Sequence, residues 1–309
     1  MSITEFSPGI ARMPVSIANV YFLGAPGSPW FLVDSGTPGY TQKLIEAAEG
    51  RYGKGTKPEY IVLTHGHFDH SGSACELAER WQVPIYAHYL ETPYLTGASA
   101  YPPKDPTVGG AMAFLSRFFP KKSAKLQPHL RPLPADGEVP GHPEWRWIFT
   151  PGHAPGHVSL YDSARRVLLS GDAIASADLD SVTGIISQKP QISRPPAPMN
   201  YDWVAARESV QSLAKLEPYA VGCGHGQPMS GSEVAVELHD LAVNFPMPER
   251  GRYVPNPART DEHGVQYVPP EPPDPLPNLA AALGIAVALG AILLFKIEVD
   301  KHTGDQELD

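Results

Sequence analysis

Three imidazoles and one carboxylate crowd into six consecutive residues, His65-Gly66-His67-Phe68-Asp69-His70. Imidazole and carboxylate are donors that divalent cations accept, Zn²⁺ readily among them. Ordinary packing gives no reason for so many such groups in so short a space. The apolar run Tyr60-Ile61-Val62-Leu63 directly before them reads as a buried strand. Side chains alternate along an extended segment. His65, His67 and Asp69 are therefore expected to project to one side of the strand end, with His70 turned beside them.

Further stations repeat the form of a short apolar strand followed by a tight turn that carries a donor. Thr150-Pro151-Gly152-His153-Ala154-Pro155-Gly156-His157 offers imidazole on a Gly/Pro turn. Val167-Leu168-Leu169 leads into Ser170-Gly171-Asp172, and Tyr219-Ala220-Val221 leads into Gly222-Cys223-Gly224-His225-Gly226. Glycine at such turns lets the backbone come close to a ligand or an ion.

Taken in order, these segments resemble the metallo-β-lactamase superfamily. That family's pattern runs HxHxDH, then TPGHxxGH, then a GD pair, then a GHG turn. The match here spans residues 64 to 226. The resemblance implies an α/β fold, a four-layer αβ/βα sandwich with two metal ions on its upper edge. It implies that His65, His67 and His153 hold the first ion, that Asp69, His70 and His225 hold the second, and that Asp172 bridges them. His157 is normally not a ligand in this family and is expected to orient a ligand or the turn. Asp34, in a Val-Asp-Ser-Gly step, is expected to brace the metal loop through hydrogen bonds.

Two cations roughly 3.5–4 Å apart hold and ionise a shared water. Asp69 is the expected catalytic residue, orienting that nucleophile or accepting a proton. The expected enzyme is a metallo-hydrolase, hydroxyacylglutathione hydrolase-like or lactonase-like. It uses the hydroxide held by two ions to cleave an ester, thioester, lactone or amide bond of a small molecule. Zn²⁺ suits the donors best, and Fe and Mn are compatible with them. A mononuclear-iron oxidoreductase like the sulfur dioxygenases and a non-catalytic, membrane-tethered scaffold are the alternatives. The complete ligand set speaks against both. The substrate stays open within the hydrolase class. Ala175 stands where quorum-quenching lactonases carry Tyr, and glyoxalase II's glutathione-holding basic residues have no clear counterpart.

The elements that must position these groups follow from periodicity. Strands are expected over 18–23, 30–33 and 83–87, and helices over 41–49, 71–81, 202–216 and 232–244. Residues 92–134 form a long insertion whose helix candidate, Val108 to Phe119, reads equally as core or as a lid. As a lid, it offers Met112, Phe114, Leu115 and Phe118 as an apolar wall. Lys121, Lys122 and Lys125 read as a solvated loop. With a net charge of −9 and no dense Lys/Arg cluster, a nucleic-acid partner is not expected. Cys75 and Cys223 are too distant in sequence to suggest a disulfide framework, and Cys223 reads as a small buried turn residue.

The catalytic domain is expected over residues 1–245, followed by a Pro-rich linker over 246–277. The uncharged run Leu279 to Phe295 places a transmembrane helix over 278–296, with a polar tail over 297–309. This makes the expected localisation a single-pass, C-terminally anchored membrane protein. Met1 to Ile10 does not read as a signal peptide, so the catalytic domain is expected in the cytoplasm.

Overall fold

Alternate residues of a strand face opposite ways, and that alternation sorts this chain into layers. The computed structural model describes residues 3–119 and 125–273. Its first sheet has seven strands in sequence order: β1 (Thr4–Ser7), β2 (Ile10–Val15), β3 (Ala18–Leu23), β4 (Phe31–Val33), β5 (Ile61–Val62), β6 (Ile85–Ala87) and β7 (Leu130–Pro132). The pairs from β1 to β4 are antiparallel, and those from β4 to β7 are parallel. The second sheet comprises β8 (Glu138–Val139), β9 (His142–Phe149), β10 (Val158–Asp162), β11 (Val167–Gly171), β12 (Ala220–Cys223) and β13 (Met229–Ser230), with β11 and β12 parallel. The helices are α1 (Thr41–Tyr52), α2 (Phe68–Ser71), α3 (Ala74–Trp81), α4 (Thr92–Thr96), α5 (Ala111–Leu115), α6 (Val182–Ser187), α7 (Trp203–Ala214) and α8 (Ser232–Val243).

On β3, Val20 and Phe22 pack against Leu44 and Ala48 of α1 and Ala74, Leu77, Ala78 and Trp81 of α3. The intervening Tyr21 and Leu23 face the other sheet and meet Val158, Leu160, Val167 and Leu169. On β11 the same alternation turns Leu168 outward, onto Trp203, Val210 and Leu213 of α7 and Leu238 of α8. The order is helices, sheet, sheet, helices, the four-layer αβ/βα sandwich that the resemblance implies. Fully burying each Val, Leu or Phe in these layers contributes about 1.5–3 kcal/mol before entropy is counted.

Three expectations change. Residues 246–277 read as a linker because they are Pro-rich and lack an apolar period, yet up to Pro270 they belong to the compact unit Met1–Pro270. Single anchors hold them there. Tyr253 and Ala258 enter the core beside α7, Arg252 N–H donates to the buried Asp105 carboxylate at 2.6 Å, and β14 (Arg259–Asp261) pairs with β15 (Gly264–Tyr267). Second, the helix candidate over 108–119 is short, being α5 followed by a 3₁₀ turn at Ser116–Phe118, and Ala113 is the buried residue of α5. Val108 and Ala113 enter the core, and Met112 packs against Ala175, Ala177 and Leu179. The Phe119 ring at the segment's end lies 5.9 Å from that of Phe68.

Third, the membrane localisation is corrected. Among the described residues no helix is long and apolar enough to cross a membrane. The longest of them have 12 residues, which at about 1.5 Å per residue reach only about 18 Å of the roughly 30 Å needed. The segment 278–296, the tail 297–309, Lys121 and Lys122 lie outside the described residues.

Candidate metal centre

β5 is a central parallel strand, and the chain leaving its end carries the densest group of donors. His65 follows from the strand, but Asp69 is placed differently from the expected alternation. At His67 the backbone is extended (φ −62°, ψ 154°), and α2 then begins at Phe68. Asp69 and His70 therefore sit on a helical turn, which swings both back towards His65. The parallel pair β11–β12 brings the other two strand ends side by side, where Gly224 N–H donates to the Gly171 carbonyl at 2.8 Å. Asp172 and His225 extend from those ends. His153 arrives from the turn after β9. Gly152 there has φ +126° and lies so close to α7 that a Cβ would stand 2.4 Å from the Ala206 nitrogen.

All seven residues expected at the centre converge. His65 Nε2 lies 2.9 Å from His67 Nδ1, which lies 3.0 Å from His153 Nε2. Asp172 Oδ2 is 3.1 Å from His225 Nε2 and 3.3 Å from His153 Nε2, and its Oδ1 is 3.5 Å from His70 Nε2. Asp69 Oδ2 stands 3.7 Å from His225 Nε2. Three groups, His65–His67–His153, His65–His70–Asp172 and Asp69–His70–His225, each bring their donor atoms within 4.8 Å of one another.

For two of the rings the surroundings fix which nitrogen faces inward. His225 Nδ1–H donates to the Ile17 carbonyl at 2.7 Å, and His70 Nδ1–H to Asp34 Oδ2 at 2.8 Å, leaving both Nε2 atoms for the centre. Asp34 also accepts from Thr64 N–H at 2.8 Å, so it braces the metal loop as expected. Burial first, and then neighbouring imidazoles, hold His65 well below the ordinary histidine range. Burial likewise pushes His67 down to about 4. Burial also favours neutral His70 and His225, but the carboxylates of Asp172 and its neighbours override it, raising His70 well above its ordinary value and His225 to about 9. Asp172 is in turn held well below the ordinary carboxylate range, because His225, His70 and His153 outweigh the opposing effect of burial.

This donor set fits a pair of cations. Three neutral imidazoles with nitrogens about 3 Å apart cannot all satisfy one another through hydrogen bonds, since each carries one N–H. Ligands roughly 2.0–2.1 Å from one tetrahedral ion stand about 3.3 Å apart, close to the spacing seen. The buried His70 Nε2 and Asp172 Oδ1 have no hydrogen-bond partner among the described residues. A divalent ion would supply the partner both lack and would take the place of the protons on His70 and His225.

His157 stands behind the centre. Its Nε2 accepts the Asp172 backbone N–H at 2.9 Å and its Nδ1–H faces Thr150 Oγ1 at 2.8 Å. Burial lowers it to about 3, keeping it neutral in that tautomer. His157→Ala is expected to lower turnover 10–100-fold while both ions stay bound, checked by metal analysis beside kcat. Complete loss of metal from this variant would contradict a role limited to orienting Asp172. Cys223 is wholly buried and its thiol is pushed up to about 12 by burial, which makes it a packing residue. Sequence reading missed Glu91 and Tyr101, which touch the backbone between His65 and His67. The one available signal was a lone acid in the mostly apolar and aromatic run Tyr89-Leu90-Glu91-Thr92-Pro93-Tyr94-Leu95.

Comparisons with known proteins agree with this geometry. The sequence pattern of the metallo-β-lactamase superfamily matches residues 13–225. The chain is 42% identical over 241 residues to the probable metallo-hydrolase YflN of Bacillus subtilis, covering 77% of this chain and 91% of that protein. It is 27% identical over 236 residues to a hydroxyacylglutathione hydrolase of Acidiphilium cryptum, covering 76% and 75% of the two chains. The crystal structure of the B3 metallo-β-lactamase BLEG-1 superposes with a TM-score of 0.52 at 26% identity, over 73% of this chain and 96% of that one.

Proposed function

The chain belongs to the metallo-β-lactamase superfamily, and we propose that it hydrolyses an ester, thioester, lactone or amide bond of a small molecule with the aid of two bound Zn²⁺ ions. One observation carries this reading: His65, His67, Asp69, His70, His153, Asp172 and His225 meet from four separate strand ends, with their donor atoms in reach of one another in three overlapping groups. His65, His67 and His153 would hold one ion, Asp69, His70 and His225 the other, and Asp172 both. When bound, such a pair supplies Lewis acidity and a hydroxide near neutral pH.

The chain's own groups define the rest. The side chains of His70, His153 and Asp172 are at most 3% exposed, whereas that of Asp69 is 10% exposed. Asp69 is therefore the carboxylate on the solvent side, where it orients the attacking water and receives its proton. His67 and Phe68 are half-buried at the same edge, which makes it the side from which substrate enters. Phe68, with Phe119 beside it, gives that edge an apolar wall. The likeness to a hydroxyacylglutathione hydrolase favours thioesters among the four bond types.

The test is a screen of generic esters, thioesters, lactones, amides and phosphodiesters on protein of known metal content, with and without chelator. Turnover of one acyl class is expected, lost on chelation and restored by Zn²⁺. Turnover that survives complete removal of metal would sink the reading.

A further inference from the structure

Glu91 is wholly buried beside the centre, and among the described residues no cation lies against it, although an isolated carboxylate in such a place is costly. Its partners explain why it is there. Glu91 Oε2 accepts the Gly66 N–H at 2.8 Å, and Oε1 accepts the Gly156 N–H at 2.7 Å. Gly66 lies between His65 and His67. Gly156 lies between His153 and His157. One carboxylate therefore ties together the two turns that deliver the three-imidazole group, which stand far apart in sequence. Tyr101 completes the arrangement. Its hydroxyl donates to Glu91 Oε2, its oxygen lies 2.8 Å from the Gly66 nitrogen, and its ring stands 4.7 Å from that of His67 while stacking on Tyr94 at 4.2 Å. The fit leaves no slack, because a Cβ on Gly156 would stand 2.8 Å from the Glu91 nitrogen and a Cβ on Gly66 2.6 Å from Tyr101 Oη.

We propose that Glu91, assisted by Tyr101, is a positioning residue for the three-imidazole site. It fixes the spacing of His65 and His67 against His153 and leaves the Asp69–His70–His225 group untouched. The inference rests on the two-ion reading above. Both carboxylate oxygens are used as acceptors of backbone N–H groups. Gln offers only one accepting oxygen and points its NH₂ at the other N–H, so Glu91→Gln forces one turn away.

The test compares the two sites within the same chain, using Zn²⁺ alone in competition with a chromogenic chelator. His225→Ala leaves the three-imidazole site to be measured, and His67→Ala leaves the other. Adding Glu91→Gln is expected to weaken Zn²⁺ 10–100-fold in the His225→Ala background and to leave it unchanged in the His67→Ala background. A general loss of stability would weaken both alike, and that result, or no change in either, overturns the assignment. A His225→Ala parent that takes up no Zn²⁺ overturns the metal reading and the assignment with it. Should the Glu91→Gln chain not fold, Tyr101→Phe carries the test. It removes one hydrogen bond and should weaken the same site severalfold, and an unchanged affinity overturns the proposal.

Discussion

Asp172→Ala is expected to abolish turnover and to lower metal content from two ions per chain to at most one. Asp172 is a carboxylate that reaches imidazoles of both groups. Its Oδ2 lies within 3.3 Å of His153 and 3.1 Å of His225, and its Oδ1 within 3.5 Å of His70. Its charge also holds His70 and His225 above their ordinary values against burial. Removing it takes away a shared donor and the negative charge that makes two cations tolerable at short range. The effect should exceed the roughly 10–100-fold that follows loss of a residue behind the donors, such as His157. Asp172→Asn separates the two contributions, since it keeps the shape and one oxygen but not the charge. It should keep more metal than the alanine variant and still lack turnover. Metal analysis after dialysis, beside turnover of the best substrate, decides the matter. An alanine variant that keeps both ions and a tenth of the parent activity would refute the bridging role.

What could be read beforehand and what could not divide along physical lines. The donors were legible because chemistry restricts them to a few residue types and the strand ends announce themselves as apolar runs. The sandwich was legible through the resemblance that the ordered motifs carry, and period two accounts for how it is built, with Tyr21 and Leu23 on one face of β3 and Val20 and Phe22 on the other. The route by which Asp69 reaches the centre was not, because α2 begins within the motif and a period-two argument cannot see a helix that short. Glu91 escaped because two of its partners are backbone N–H groups of glycines, which leave no trace in side-chain patterns. The stretch after residue 246 looked like a tether for a related reason. Its attachment runs through isolated contacts, Tyr253 in the core and Asp105 on a backbone N–H, and not through an amphipathic face.

The same invisibility of backbone makes Gly224 the most informative position to change without removing any donor. Its φ lies outside the left-handed region, so the backbone alone would accept alanine. The space would not. A Cβ there would stand 1.9 Å from Asp172 Oδ1 and 2.7 Å from His70 Cε1, inside the centre itself. The backbone cannot retreat cheaply, because Gly224 N–H is held by the Gly171 carbonyl at 2.8 Å and its own carbonyl accepts from Asn19 N–H at 2.9 Å. The Asp172 carboxylate must therefore move. A displacement of about 1 Å at reacting groups can cost about 10²-fold in rate, and overpacking itself costs about 1–3 kcal/mol. Gly224→Ala is expected to lose at least about 10²-fold in turnover and part of its metal, with all seven donor side chains still present. Gly50→Ala is the matched control. Gly50 lies within α1, where a Cβ meets nothing within 4 Å, so this change should raise stability by up to about 1 kcal/mol and leave metal and turnover alone. If Gly224→Ala behaves like Gly50→Ala, the carboxylate of Asp172 does not need its present place, and the two-ion centre built around it is wrong.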